Sequence, residues 1–297
     1  MTAAEEGVLL LCCQLGDPES KPLTMAQFRE LGLRVRASGP LGDGLRELQP
    51  SDVEALGYDR EQAERIVRLL DRETRLRSYL RAAEERGIVP VTRLSPDYPL
   101  RISARQKLSS PPVLFCKGNV SLFQPASVAV VGSRRLYPEN EAFAAEAGRL
   151  AAEEGLVLVS GGAEGADRTA QEACQAAGGR AVIFVPDRLT DHPDDPNVLW
   201  CSEDGWDLPF TPVRALRRNA LIHMQGDRVL AAQCTYGSGG TWHGCLENLK
   251  HGWSPLFVFA DGSQGAEALI GRGATAVERL EFFQSLRPDQ TSLFDLA

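Results

Sequence analysis

The chain has 297 residues, 43% hydrophobic and 24% charged, ordinary proportions for a soluble globular protein of one large or two modest domains. Its formal net charge of −8 argues against a broad basic face of the kind general nucleic-acid binders carry. The charge is uneven: residues 1–120 hold 18 Lys+Arg against 17 Asp+Glu and residues 121–297 hold 14 against 23, so any phosphate taken by the second part must meet a few localised arginines and backbone N–H groups.

Met1 to Glu6 is acidic, and the apolar run Val8 to Cys13 is far too short to span a bilayer. With no signal peptide and no membrane segment, the expected location is cytoplasmic. Cysteines stand at 12, 13, 116, 174, 201, 234 and 245 without a CxxC pair, and that spacing predicts reduced thiols. Residues 1–86 read as a helical domain. Leu23 to Leu33 and Ser51 to Tyr79 carry apolar residues three and four apart, broken by Pro22, Gly39-Pro40 and Gly42-Asp43-Gly44. Ser51 and Glu54 have capping-box spacing, and two short helices joined at Gly57-Tyr58 fit a SAM-like or helix-hairpin-helix module as well as a plain bundle. Arg72, Arg75, Arg77 and Arg81 alternate with acids, as on a solvated helix face.

Short strands and turns follow from Gly87 to about residue 126, with Val113-Leu114-Phe115 as a small extension of the sheet that comes next. That sheet is organised around residues 127–167. Val128 to Val131 breaks into Gly132-Ser133-Arg134-Arg135, which reads as a strand buried on both faces and closed by glycine. Glu139 to Glu154, with Phe143, Ala147 and Leu150 at helical spacing, ends at Gly155. A second buried strand, Leu156 to Val159, stops at Ser160-Gly161-Gly162-Ala163-Glu164-Gly165. Beyond it the pattern predicts a helix at 166–177, a strand at 181–185 and a long Asp- and Pro-rich loop at 186–212. Then come a helix at 214–224, a strand at 228–232, a helix at 241–250, a strand at 256–259 and a short helix at 266–270. The expected class is α/β: a Rossmann-like, mostly parallel, doubly wound sheet of five or six strands over residues 87–287, preceded by the helical domain.

Four polar groups fall at one edge of such a sheet, beyond the carboxyl ends of its strands. They are Gly132-Ser133-Arg134-Arg135; the loop glycines Gly161, Gly162 and Gly165 with Asp167 placed to cap the next helix; Arg217-Arg218-Asn219; and Gly239-Gly240-Thr241 entering another helix. Three glycine loops, each after a buried strand and before a helix, point to one shared site for an anionic ligand. No nucleophile–base arrangement emerges. Cys234, His243, Cys245 and His251 lack zinc spacing, so no metal, cofactor or catalytic residue is expected.

The order of these motifs resembles the DprA/Smf family of DNA-processing proteins. DYPLRISARQKLSSPPVLFCKGN is similar to the family lead-in, VAVVGSRR to its GSR turn, LVLVSGGAEGADRTAQEAC to its VSGLARGIDxxAH segment, and ALRRNALI to its RN-containing helix. The resemblance implies a non-catalytic mediator that binds single-stranded DNA and loads RecA during DNA uptake and natural transformation, working as a homodimer. Glu164 replaces the family's loop arginine, Gln171 its histidine, and GSGGTWHG its SGSLITA turn; no winged-helix domain follows. The Gly-rich turn also invites comparison with LOG-type phosphoribohydrolases (PGGxGTxxE), which leaves a nucleotide-binding sensor or such a hydrolase as the alternative. Here, however, Glu247 follows Thr241 by six residues instead of three. In the tail, residues 288–297, the residues Gln290, Ser292, Leu293 and Phe294 resemble the QxSLF peptide that docks on the bacterial sliding clamp; a tail packed on the chain's own surface is the other reading.

Overall fold

Helix starts in the N-terminal part are set by side chains that satisfy otherwise orphaned backbone donors. In the computed structural model, which describes residues 1–38 and 47–280, Thr2 and Glu5 close a capping box on α1 (Ala3–Cys12). Thr24 and Gln27 exchange bonds of 3.0 and 3.3 Å at the head of α2 (Met25–Ser38). On α3 (Pro50–Glu54) the cap lies earlier than predicted: the Asp52 carboxylate accepts from the Gln49 N–H at 2.8 Å, and Ser51 sits inside the helix. Pro50 explains the shift, because it has no N–H to lose and its fixed φ suits the first helical position. Asp59 and Gln62 box the start of α4 (Arg60–Leu70), which is followed by α5 (Glu73–Glu84).

These helices bury Val8, Leu11, Leu31, Val53, Ile66 and Leu69 in one cluster. Arg77 and Arg81 make exposed pairs with Glu73 and Glu85, as expected. Arg72 departs from that pattern. It is half-buried and donates to the carbonyls of Leu10, Cys13 and Gln14, where α1 ends and its negative dipole end collects a cation. This first unit, Met1–Lys117 with Asp187–Pro193 and Cys201–Pro209, also holds β1 (Ile88–Thr92), α6 (Leu100–Gln106) and β2 (Val113–Lys117). β1 and β2 pair antiparallel from Ile88↔Lys117 to Thr92↔Val113. Tyr79 anchors α5 by donating to Asp207 at 2.6 Å and accepting from the Trp206 N–H at 3.3 Å. Tyr79→Phe is expected to cost about 2 kcal/mol in urea unfolding, since the lost bond is charge-assisted and partly buried. An unchanged midpoint would show that the hydroxyl contributes nothing net.

The second unit comprises Gly118–Pro186, Asp194–Trp200 and the described residues from Phe210 on. In chain order its elements are β3 (Ser127–Val131), α7 (Pro138–Glu153), β4 (Val157–Ser160), α8 (Ala166–Ala176), β5 (Arg180–Phe184), the Val198–Trp200 part of β6 (Val198–Glu203), α9 (Pro212–Gln225), β7 (Arg228–Ala231), α10 (Gly239–His251), β8 (Leu256–Phe259), α11 (Gln264–Ile270) and β9 (Thr275–Val277). The strands stand in the order β6-β5-β4-β3-β7-β8-β9, and the pairs β5–β4, β4–β3, β3–β7, β7–β8 and β8–β9 are parallel. The predicted α/β, doubly wound class is the one observed. Two strands lie outside the expectation: β6 falls within the span 186–212 expected as a loop, and β9 has only three residues. Asp and Pro crowd the sequence before β6, and composition over the whole window hid six residues that are all buried.

Every residue of β3 is buried, as a central strand requires. From β3 the chain steps outward through β4 and β5, then returns to lay β7 on the opposite side of β3. Right-handed crossovers therefore put α7 and α8 on one face of the sheet and α9 and α10 on the other. The point where the winding reverses, at the carboxyl ends of β3 and β7, is the crevice in which such sheets bind ligands. Among the described residues no helix is long and apolar enough to cross a membrane.

Candidate functional site

Three loops meet at that crevice, and Ser133 ties them together. Its N–H donates to the Gln233 carbonyl beyond β7 at 3.0 Å, its hydroxyl donates to the same oxygen at 3.3 Å, and its carbonyl accepts from the Ala166 N–H at 3.2 Å. Gln233 returns the contact from its own side chain: Nε2 donates to the Arg135 carbonyl at 3.0 Å, and Oε1 accepts from the Tyr137 N–H at 2.9 Å. The backbone that carries Arg134 and Arg135 is thus clamped from both sides, while both side chains stay exposed. Arginine forks on a fixed backbone lose less freedom when they meet a phosphate.

Asp167 does not cap its own helix. The N-cap of α8 is Gly165, with no side-chain bond. The Asp167 carboxylate instead reaches back to accept from the Gly161 N–H at 3.1 Å, and it stands 3.8 Å from Arg218 Nη1. Both side chains of this pair are nearly enclosed, at 9% and 8% exposure. Burial pushes the Asp167 carboxyl up to about 6, against the opposing pull of Arg218, the Ala163 and Gly161 N–H groups and Arg134. A Cβ on Gly161 would lie 1.3 Å from Arg218 Nη1. Glycine at the end of β4 is what lets a guanidinium from α9 slide in beneath the loop.

The resulting cleft measures about 760 Å³. Of the residues predicted for the site, Gly132, Ser133, Arg134, Arg135, Asp167, Arg218, Asn219, Gly239, Gly240 and Thr241 line it. Gly161, Gly162, Gly165 and Arg217 do not. Gly161 backs the buried ion pair, Gly162 faces Ile183 and Trp200, Gly165 packs on the Ser133–Arg134 backbone, and Arg217 is exposed on another face of α9. α10 starts at the cleft with Ser238 as N-cap and no side-chain bond, so its first N–H groups and positive dipole end are presented there. Glu164, which the sequence places beside a phosphate site, is 76% exposed, lies 3.9 Å from Arg168 and does not line the cleft.

The α9 wall also includes residues outside the sequence expectation: Phe210 just before the helix, then Pro212, Ala215, Leu216, Ile222 and His223. The signal was present, because 215, 219, 222 and 223 fall on one helical face with 218 beside them. Glu247 is half-exposed, pairs with Lys250 at 3.4 Å and His251 at 3.2 Å, and does not line the cleft. Among the described residues no group of three His, Cys, Asp or Glu could hold a metal ion. All seven cysteines are buried and unbridged. The chemistry on offer is anion binding by Arg134, Arg135, Arg218 and a helix start, around one carboxylate that already has its partners.

The family model for DNA recombination-mediator protein A matches residues 90–286. The DNA processing protein A structure from Streptococcus pneumoniae is 23% identical with a TM-score of 0.71, covering 93% of this chain and 95% of that one. The Helicobacter pylori DNA processing protein A, whose structure is described in terms of its single-stranded DNA binding mode, is 25% identical with a TM-score of 0.56, covering 67% and 93%. No curated protein matches the chain.

Proposed function

The chain belongs to the DNA recombination-mediator protein A family, and we propose that it binds single-stranded DNA in the cleft at the β3/β7 switch point without catalysing a reaction. One observation carries this reading: Arg134, Arg218 and the uncapped start of α10 converge on one cleft, within the part of the chain whose charge balance is otherwise acidic. The strand's phosphates would lie against these groups. Loading of RecA during DNA uptake and natural transformation, a homodimer and a cytoplasmic setting extend the reading by family membership. Its parts would be a helical domain at 1–86, the Rossmann-like domain at 87–287, and a tail at 288–297 docking on the sliding clamp. The tail residues Gln290, Ser292, Leu293 and Phe294 lie outside the described residues, so that element rests on sequence alone.

The test is a filter-binding titration on oligo-dT at several salt concentrations. For single strands the slope of log K against log salt is about 0.7 per phosphate contact, and Arg134→Ala is expected to lower it by roughly one contact. Unchanged affinity and slope would remove Arg134 from the interface. The cleft volume of about 760 Å³ also suits a small nucleotide. Thermal stabilisation by a mononucleotide, with no retention of oligo-dT, would favour that sensor or hydrolase reading.

A further inference from the structure

Among the described residues of the second unit, the exposed large apolar side chains gather at one place, the carboxyl edge of the sheet. Tyr137 precedes α7, Tyr236 follows β7, and Phe210, Val213 and Leu216 stand three apart at the start of α9. The last three are 52%, 65% and 56% exposed, and Phe210 and Leu216 also line the cleft. Aliphatic side chains offer nothing to a phosphate chain, and a stripe of them left bare marks a contact surface. Arg134 and Arg135 line the same cleft. The surface therefore suits a short segment that is both apolar and acidic.

We propose that the chain's own residues 289–297, DQTSLFDLA, which lie beyond the described residues, dock on this stripe and exclude a strand from the mouth of the cleft. The segment holds Asp289 and Asp295, no basic residue, and the apolar Leu293, Phe294 and Leu296. Topology brings it within reach. β7, β8 and β9 are parallel, so the chain leaves β9 at Val277 on the same edge as the cleft. From β9 to β3 is three strand spacings, roughly 15 Å. Residues 278–288, extended, span up to about 35 Å, so the segment arrives at α9 with slack. Tethering also gives it a high effective concentration, and contacts too weak between separate molecules then suffice. Its leucines and phenylalanine would cover Val213 and Leu216, and its aspartates would face Arg134 and Arg135. The competition with DNA rests on the strand-binding reading above, whereas the docking does not. A strand that displaces the segment frees it for an outside partner.

The experiment is cysteine cross-linking on the full chain, whose native thiols are all buried. Val213→Cys combined with Leu293→Cys, under a mild oxidant, is expected to give an intramolecular disulfide that excess oligo-dT suppresses. In the control, Glu153→Cys, exposed at the far end of α7, replaces Val213→Cys and should give little product. In filter binding, Leu293→Ser with Phe294→Ser should tighten oligo-dT binding about tenfold, the gain expected if the cleft is covered roughly nine-tenths of the time. Cross-linking no greater than in the control overturns the proposal. Products joined only between two chains also overturn it, and assign the stripe to a second copy. A specific cross-link that oligo-dT leaves unchanged, with equal affinity in the serine variant, overturns the exclusion of the strand. If the cross-link forms but neither wild type nor the serine variant retains oligo-dT, the docking stands and the strand-binding reading falls.

Discussion

Gly165→Ala is expected to destabilise the chain by about 3 kcal/mol or more and to abolish retention of single-stranded DNA by what remains folded. Gly165 has φ +84° and ψ −132°, a region closed to side chains. A Cβ there would also lie 2.2 Å from the Ser133 carbonyl oxygen and 2.7 Å from the Arg134 backbone. Neither neighbour is a flexible side-chain end that can swing aside. Relief requires parting the β4–α8 loop from the β3 loop, which breaks the Ala166 N–H to Ser133 bond and moves the backbone that aims Arg134. Gly155→Ala is the control. It has φ +68° but nothing within 4 Å of a Cβ, so it should cost about 1 kcal/mol and leave DNA binding intact. Urea unfolding and filter binding on both variants separate the cases. If Gly165→Ala binds oligo-dT like wild type, the loops are not interlocked in the way their contacts imply.

The legible parts of this chain were those in which one physical signal dominates. β3 is apolar from Val128 to Val131 and is followed by a glycine, and α7 stops just before Gly155, so the sheet class and its binding edge are legible in residues 127–167. β6 was hidden because acids and prolines on its approach outweighed its own six residues. The misread residues Arg72, Ser51 and Asp167 share one cause. Each was assigned from neighbours in sequence, while its role is set by a group brought from elsewhere: the end of α1 for Arg72, the Pro50 start for α3, Gly161 and Arg218 for Asp167. Glu164 shows the same limit with the opposite sign. Next to a glycine loop it suggests repulsion of phosphate, yet its carboxylate sits in solvent.

Arg218→Met is expected to weaken strand binding by more than tenfold and to change how stability depends on pH. In the wild type the Asp167 carboxyl titrates near 6 in the folded chain and near 4 once unfolded. Between those values the folded state holds more protons than the unfolded state, so stability falls as pH rises through the window and is level above it. Arg218 is the largest influence opposing that rise. Without it the folded-state value moves further up, and stability keeps falling toward neutral pH. At pH 8 the variant should therefore lose about 3 kcal/mol, the cost of leaving a buried charge without its partner, and at pH 5 much less. Adding Asp167→Asn to Arg218→Met should remove most of the pH dependence, because no carboxylate is then left to strand. Urea unfolding at pH 5 and pH 8 reads all three chains. A variant whose loss is the same at both pH values would mean that Arg218 supports the fold by packing alone, and that the positive charge beneath the glycine loop is held there for the ligand.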